Sequence, residues 1–183
     1  MKKFIVLSLL AVFSLSIYAD NKVSVVDSSD NVLSIQVQRG KDPKRIPVQI
    51  SMDNPSVPMT CIQVYIQVSD SNARFSKDET GETFLCSKTS RWTTQHQTMF
   101  SWDTPKAPKA LMALLVTPTS ENLKGTTGPV ITVYLDASTL SDGTHTIRMF
   151  DSNMVWTDKT NVTSYLTPDC ETTFKISKGK LVK

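Results

Sequence analysis

The chain has 183 residues, 39% of them hydrophobic, and its 20 lysines and arginines face 17 acids, a formal net charge of +3. That length supports one domain with its own core, without a metal or disulfide staple. A balance so close to neutral speaks against nucleic acid or an anionic membrane as partner.

The first element is a leader. Lys2 and Lys3 precede an apolar run from Phe4 to Ile17, and Ile17-Tyr18-Ala19 offers a cleavage site before Asp20. The run is shorter than the ~20 residues a membrane span requires, so cleavage rather than insertion is expected. Residues 1–19 are therefore read as a signal peptide and 20–183 as one domain, exported to the periplasm, the cell surface or the medium. Cleavage leaves 164 residues with a net charge of +1.

From Lys22 onward, short β-rich runs alternate with turn formers. The runs are Val23 to Val26, Leu33 to Val37, Ile46 to Met52, Thr60 to Ser69, Thr83 to Ser87, Thr98 to Trp102, Leu111 to Thr117, Val130 to Asp136, His145 to Phe150, Val155 to Thr157 and Thr172 to Ile176. Between them lie Asp53-Asn54-Pro55, Asp103-Thr104-Pro105, Gly125 to Pro129 and Ser141-Asp142-Gly143, whose backbone preferences favour turns. No segment has helical periodicity, and many short strands at this spacing predict an all-β sandwich or barrel.

Two runs alternate strictly. Ile62, Val64, Ile66 and Val68 share one phase, as do Ile131, Val133 and Leu135; the other phase carries Gln63, Tyr65 and Gln67, and Thr132 and Tyr134. Side chains alternate across a strand, so the first set faces a core and the second faces water. Leu111 to Val116 is apolar in both phases and is expected to be covered on both sides.

Several segments, taken in order, resemble bacterial cohesin domains. Gly40 through Met52, with Ile46-Pro47-Val48-Gln49-Ile50, is similar to an early family strand, and Thr60 to Ser69 to the strand that begins the ligand face. Leu111 to Thr117, the turn Ser120 to Thr127, Gly128 to Val133 and Asp142 to Ile147 resemble later family elements, whereas Phe84 to Trp102 has no counterpart. The resemblance implies a two-sheet antiparallel β-sandwich of jelly-roll-like topology, with about nine to eleven strands. It also implies a non-catalytic module that holds a dockerin-like protein module or a glycan, and it sets the Thr60 and Val130 strands side by side. Gln63, Tyr65, Gln67, Thr132 and Tyr134 would then form one ligand-binding face, tyrosine supplying rigid contact area and glutamine adaptable hydrogen bonding.

Other candidates are weighed against simpler roles. Trp92 follows Arg91 in a polar stretch and could stack on a sugar, whereas Trp102 and Trp156 sit beside apolar neighbours and read as core. Three cysteines, Cys61, Cys86 and Cys170, permit one bridge or three thiols; Cys61, on the polar phase, is the expected bridge partner, with Cys86. The only histidines are His96 and His145, and neither they nor a Cys86–His96 pair has a supporting oxyanion motif, so no enzyme is expected. No spacing of metal ligands occurs; Asp27, Asp30 and Asn31, or Asp151 and Asn153, are the oxygen-rich clusters at which calcium would be sought, and turn chemistry explains both. A monomeric binding module leads, followed by a structural or adhesive surface component and then a carbohydrate-active enzyme.

Overall fold

A computed structural model describes residues 22–27, 30–117, 119–158 and 161–182; the leader lies outside them. The strands are β1 Lys22–Asp27, β2 Val32–Val37, β3 Arg45–Asp53, β4 Cys61–Val68, β5 Cys86–Ser87, β6 Gln97–Thr104, β7 Ala107–Val116, β8 Pro129–Asp136, β9 Gly143–Thr157, β10 Asn161–Leu166, β11 Cys170–Ser177 and β12 Lys180–Val182. They form two sheets. One runs β1-β10-β9-β4-β7-β6, with β11 also on β9 and β12 on β11; the other runs β2-β3-β8-β5.

Alternation builds the space between them. Ile62, Val64, Ile66 and Val68 of β4 meet Ile46, Val48 and Ile50 of β3 and Ile131, Val133 and Leu135 of β8 in one core. Each such side chain removed from water contributes about 1.5–3 kcal/mol, so the pattern fixes which face of each strand turns inward. Leu111, Ala113 and Leu115 of β7 join this core, while Leu114 points to the opposite face of its sheet. The first phase of that run is buried, whereas the second is buried at Leu114 and only half-buried at Met112 and Val116.

Twelve strands among the described residues exceed the nine to eleven expected, because one merger of two runs is outweighed by two added strands, β10 and β12. The runs from His145 and Val155 are one strand, because β9 passes through a register shift opposite Gln63 and Tyr65 and takes up a left-handed residue, Asp151. Its far edge is shared, β11 pairing with its first half and β10 with its second. The Asn161–Leu166 strand and the short β12 were not anticipated; β1, the expected Val23 to Val26 run, pairs with the former in parallel and departs from the otherwise antiparallel plan.

At one end of the sandwich Arg91 serves as a staple. It is 5% exposed. Its Nε donates to the Lys124 carbonyl at 2.8 Å, Nη1 to Met52 at 2.8 Å and Gly128 at 3.3 Å, and Nη2 to Asn54 Oδ1 at 2.6 Å and the Gly125 carbonyl at 2.9 Å. A planar fork with several donors can hold three chain segments at once, as an ammonium cannot. At another corner Asp70 accepts from the Ser141 N–H at 2.9 Å and hydroxyl at 2.7 Å. These bonds, with the Asn72 N–H and nearby His145, hold its carboxyl down to about 2.

Replacing Arg91 with methionine strands buried carbonyls and should lower stability by about 3 kcal/mol, read from denaturant midpoints; a loss below ~1 kcal/mol would contradict the staple. Because the Asp70 carboxyl is depressed on folding, its contribution is intact above the usual aspartate range and fades as pH falls from ~4 towards 2. Thermal midpoints of Asp70→Asn should therefore decline less steeply across that window than those of the parent chain.

Candidate functional site

The outer face of the eight-stranded sheet is the larger surface that alternation leaves facing away from the core. Gln63, Tyr65 and Gln67 lie on it, flanked by β7 on one side and β9 on the other. Thr132 and Tyr134 do not, because β8 belongs to the four-stranded sheet. The single face expected from the sequence is thus two surfaces on opposite sides of the molecule. Strand phase distinguishes inside from outside but does not name the sheet.

Tyr65 is also not the open ring its phase implied: it is 4% exposed, and Gln63 is 2% exposed. Register sets Met112 against Tyr65 from β7 and Phe150 from β9. The Tyr65 and Phe150 rings lie 5.8 Å apart, and Lys106 Nζ sits 5.0 Å above the Tyr65 ring. Burial, and secondarily the Asp151 charge, push the Tyr65 phenol above its ordinary pKa. Gln67 is committed as well: its Oε1 accepts from Arg148 Nε at 3.0 Å and Nη2 at 2.7 Å, and its Nε2 donates to the Pro108 carbonyl at 2.9 Å.

What this face offers to solvent comes from neighbours that the sequence reading did not single out. Met99 is 48% exposed, Met112 and Phe150 are half-buried, and the Arg148 guanidinium lies 4.6 Å over the Phe150 ring. Their signal was the second phase of the β6, β7 and β9 runs. Beside them Cys61, Leu114, Val155 and Val162 form a separate apolar cluster against Val116. Next to that cluster the side-chain amides of Gln63 (Nε2) and Asn153 (Nδ2 and Oδ1) are buried with no partner among the described residues. The face therefore combines apolar area with two cations held over aromatic rings, a composition suited to contact with another molecule.

The remaining candidates resolve differently. Trp92 is 7% exposed and donates its indole N–H to the Val130 carbonyl, so it is core and offers no face to a sugar. Its polar surroundings misled because Arg91 beside it is buried too, each donor having found a carbonyl. Cys61, Cys86 and Cys170 are all free; Cys61 lies in the eight-stranded sheet and Cys86 in the other, so the expected bridge is not made. Burial raises the Cys61 thiol to about 11. His96 is engaged by the Thr93 N–H at 3.1 Å and the Thr60 carbonyl at 3.2 Å, and His145 by the Ser141 carbonyl at 2.8 Å. Among the described residues no three His, Cys, Asp or Glu side chains converge as a metal site, and Asp151 is instead the left-handed residue of β9.

No protein-family model matches this chain, and no curated protein does. Solved structures do. A cohesin module from a Clostridium perfringens family 33 glycoside hydrolase superposes with a TM-score of 0.56 at 7% identity, covering 81% of this chain and 97% of that one. The structure of a type II cohesin–X–dockerin complex from Acetivibrio cellulolyticus gives a TM-score of 0.51 at 9% identity, covering 75% and 99%. The second type II cohesin module of the ScaA scaffoldin of the same organism gives 0.50 at 10% identity, covering 70% and 81%. These likenesses establish the architecture: the chain has the jelly-roll-like β-sandwich fold of cohesin modules.

The cysteine assignment has a direct test. A thiol reagent should titrate three groups in the denatured chain, and a reductant should leave the melting temperature unchanged; fewer than three thiols would restore the bridge.

Proposed function

We propose that this chain is an exported, monomeric and non-catalytic binding module that docks a protein module on the outer face of its eight-stranded sheet. The observation that carries this reading is the patch of Met99, Met112 and Phe150 framed by Arg148 and Lys106. Methionine and aromatic side chains with arginine are the residues enriched at protein contacts, and Met99 is a large apolar side chain left in water. The fold supports a protein partner, since one of the structures it resembles is a cohesin–X–dockerin complex. Export rests on the Lys2-Lys3 start and the apolar run from Phe4 to Ile17. Among the described residues no helix is long and apolar enough to cross a membrane. A non-catalytic role is supported by the two histidines, both already bound by backbone groups.

The test uses the mature chain as bait for proteins released by the cell that makes it, with the captured protein identified, purified and titrated back. Met99→Asp combined with Arg148→Glu should weaken that complex by ~30-fold or more while leaving the melting temperature within a few degrees. Undiminished affinity in the double variant would reject this face.

A further inference from the structure

The charge of this molecule is unevenly placed. Residues 38–45 and 175–182 hold seven of its 20 lysines and arginines and one of its 17 acids. The fold brings the two segments together: one hollow is lined by Gln38, Arg39, Asp42, Arg45, Lys180 and Leu181. Among the described residues the ion pair in this group is Arg45 with Asp42 at 3.6 Å, and Arg39, Lys41, Lys44, Lys175 and Lys180 have no carboxylate within reach. Asp142 lies near but accepts from the backbone N–H groups of Lys178 and Gly179. Seven cations gathered around two carboxylates, Asp42 and Asp142, raise the local potential, and an anion settling among them relieves it.

The loop that carries four of these cations is held in shape. Gln38 N–H donates to the Pro47 carbonyl at 2.9 Å, Lys44 N–H to Asp42 Oδ1 at 2.9 Å and Arg45 N–H to the Asp42 carbonyl at 3.1 Å. At Gly40 a side chain would meet the Arg45 carbonyl at 2.8 Å, so the backbone closes tightly there. Groups fixed in advance lose little freedom on binding.

A second hollow, of about 400 Å³, adjoins the first and shares Gly40, Asp42 and Arg45 with it; Lys41, Pro47, Leu85, Ser87 and Tyr134 complete its lining. The Tyr134 ring is half-buried, and its hydroxyl lies 2.6 Å from that of Ser87. Beyond it the outer face of the four-stranded sheet presents Gln49, Ser51 and Thr132 in phase with Tyr134, and Gln36 and Ser34 in the next strand. An aromatic ring beside fixed cations, followed by a flat row of amides and hydroxyls, suits a particular chemistry. The ring takes the apolar face of a sugar, the cations its acidic substituent and the row its hydroxyls.

We propose that the groove from Arg39 and Lys180 through Arg45 and Lys41 to Tyr134 binds an acidic glycan, one whose rings carry carboxylate or sulfate groups. This surface lies on the sheet opposite the protein-docking face, and neither assignment depends on the other.

Calorimetric titration of the mature chain tests it with four probes: an oligogalacturonate, its fully methyl-esterified form, a carrageenan hexasaccharide, which carries sulfate and no carboxylate, and a polyglutamate peptide. One of the two acidic sugars should bind, which tells carboxylate from sulfate, and its affinity should fall as salt rises. Lys41→Ala with Arg45→Ala, both exposed and outside the core, should weaken binding at least ~10-fold, whereas Lys88→Ala with Lys124→Ala should change it less than ~2-fold. Tyr134→Ala should weaken the sugar further at unchanged melting temperature. Equal binding of the esterified form, or polyglutamate binding as tight and indifferent to Tyr134→Ala, or an equal loss in the Lys88/Lys124 control, would overturn the proposal. So would failure of both acidic sugars to bind.

Discussion

Everything in this fold follows from a period of two. Once Ile62, Val64, Ile66 and Val68 have turned to the space between the sheets, the residues between them have no choice of side, and neither do those of β7 and β9 that pair with them or those of β3 and β8 that face them across the core. A slip of one residue anywhere in this set would move valines and isoleucines into water and glutamines into the core. The chemistry of the two outer faces is therefore free to vary only within a frame set by the burial of their neighbours.

The two outer faces have used that freedom differently. On the eight-stranded sheet they carry sulfur, aromatic carbon and two cations seated on rings. On the four-stranded sheet they carry serine, threonine and glutamine around one tyrosine. Arg91 and its carbonyl partners, and Gly40 against Arg45, belong to a third category. These contacts are internal to the chain, and they hold the connections from which the faces extend.

Inside and outside were legible in the amino-acid order, and sheet membership was not. Ile131, Val133 and Leu135 announce a half-buried strand, but nothing in their spacing tells whether β8 pairs with β4 or with β3, because that pairing is settled by contacts distant in sequence. Exposure of single rings was illegible for a related reason. Tyr65 looked free because its own phase is polar, and it is covered by Met112, Phe150 and Lys106, which arrive from other strands. Trp92 looked free because its neighbours are polar, yet Arg91 beside it is buried among carbonyls and its own indole N–H has found one. The β10 strand was only faintly legible: in Asn161–Leu166 the buried phase carries Val162 and Ser164, and a polar residue on the inward side weakens the alternation.

The two sheets stand back to back, separated by one layer of core about 10 Å thick. Material resting on one side leaves the other unobstructed, and no loop has to move for both to be occupied. If both proposed surfaces are filled, such a module would act as a rivet, one head seated in a charged matrix and the other gripping a passenger, with the stiff interior keeping the two at a constant separation.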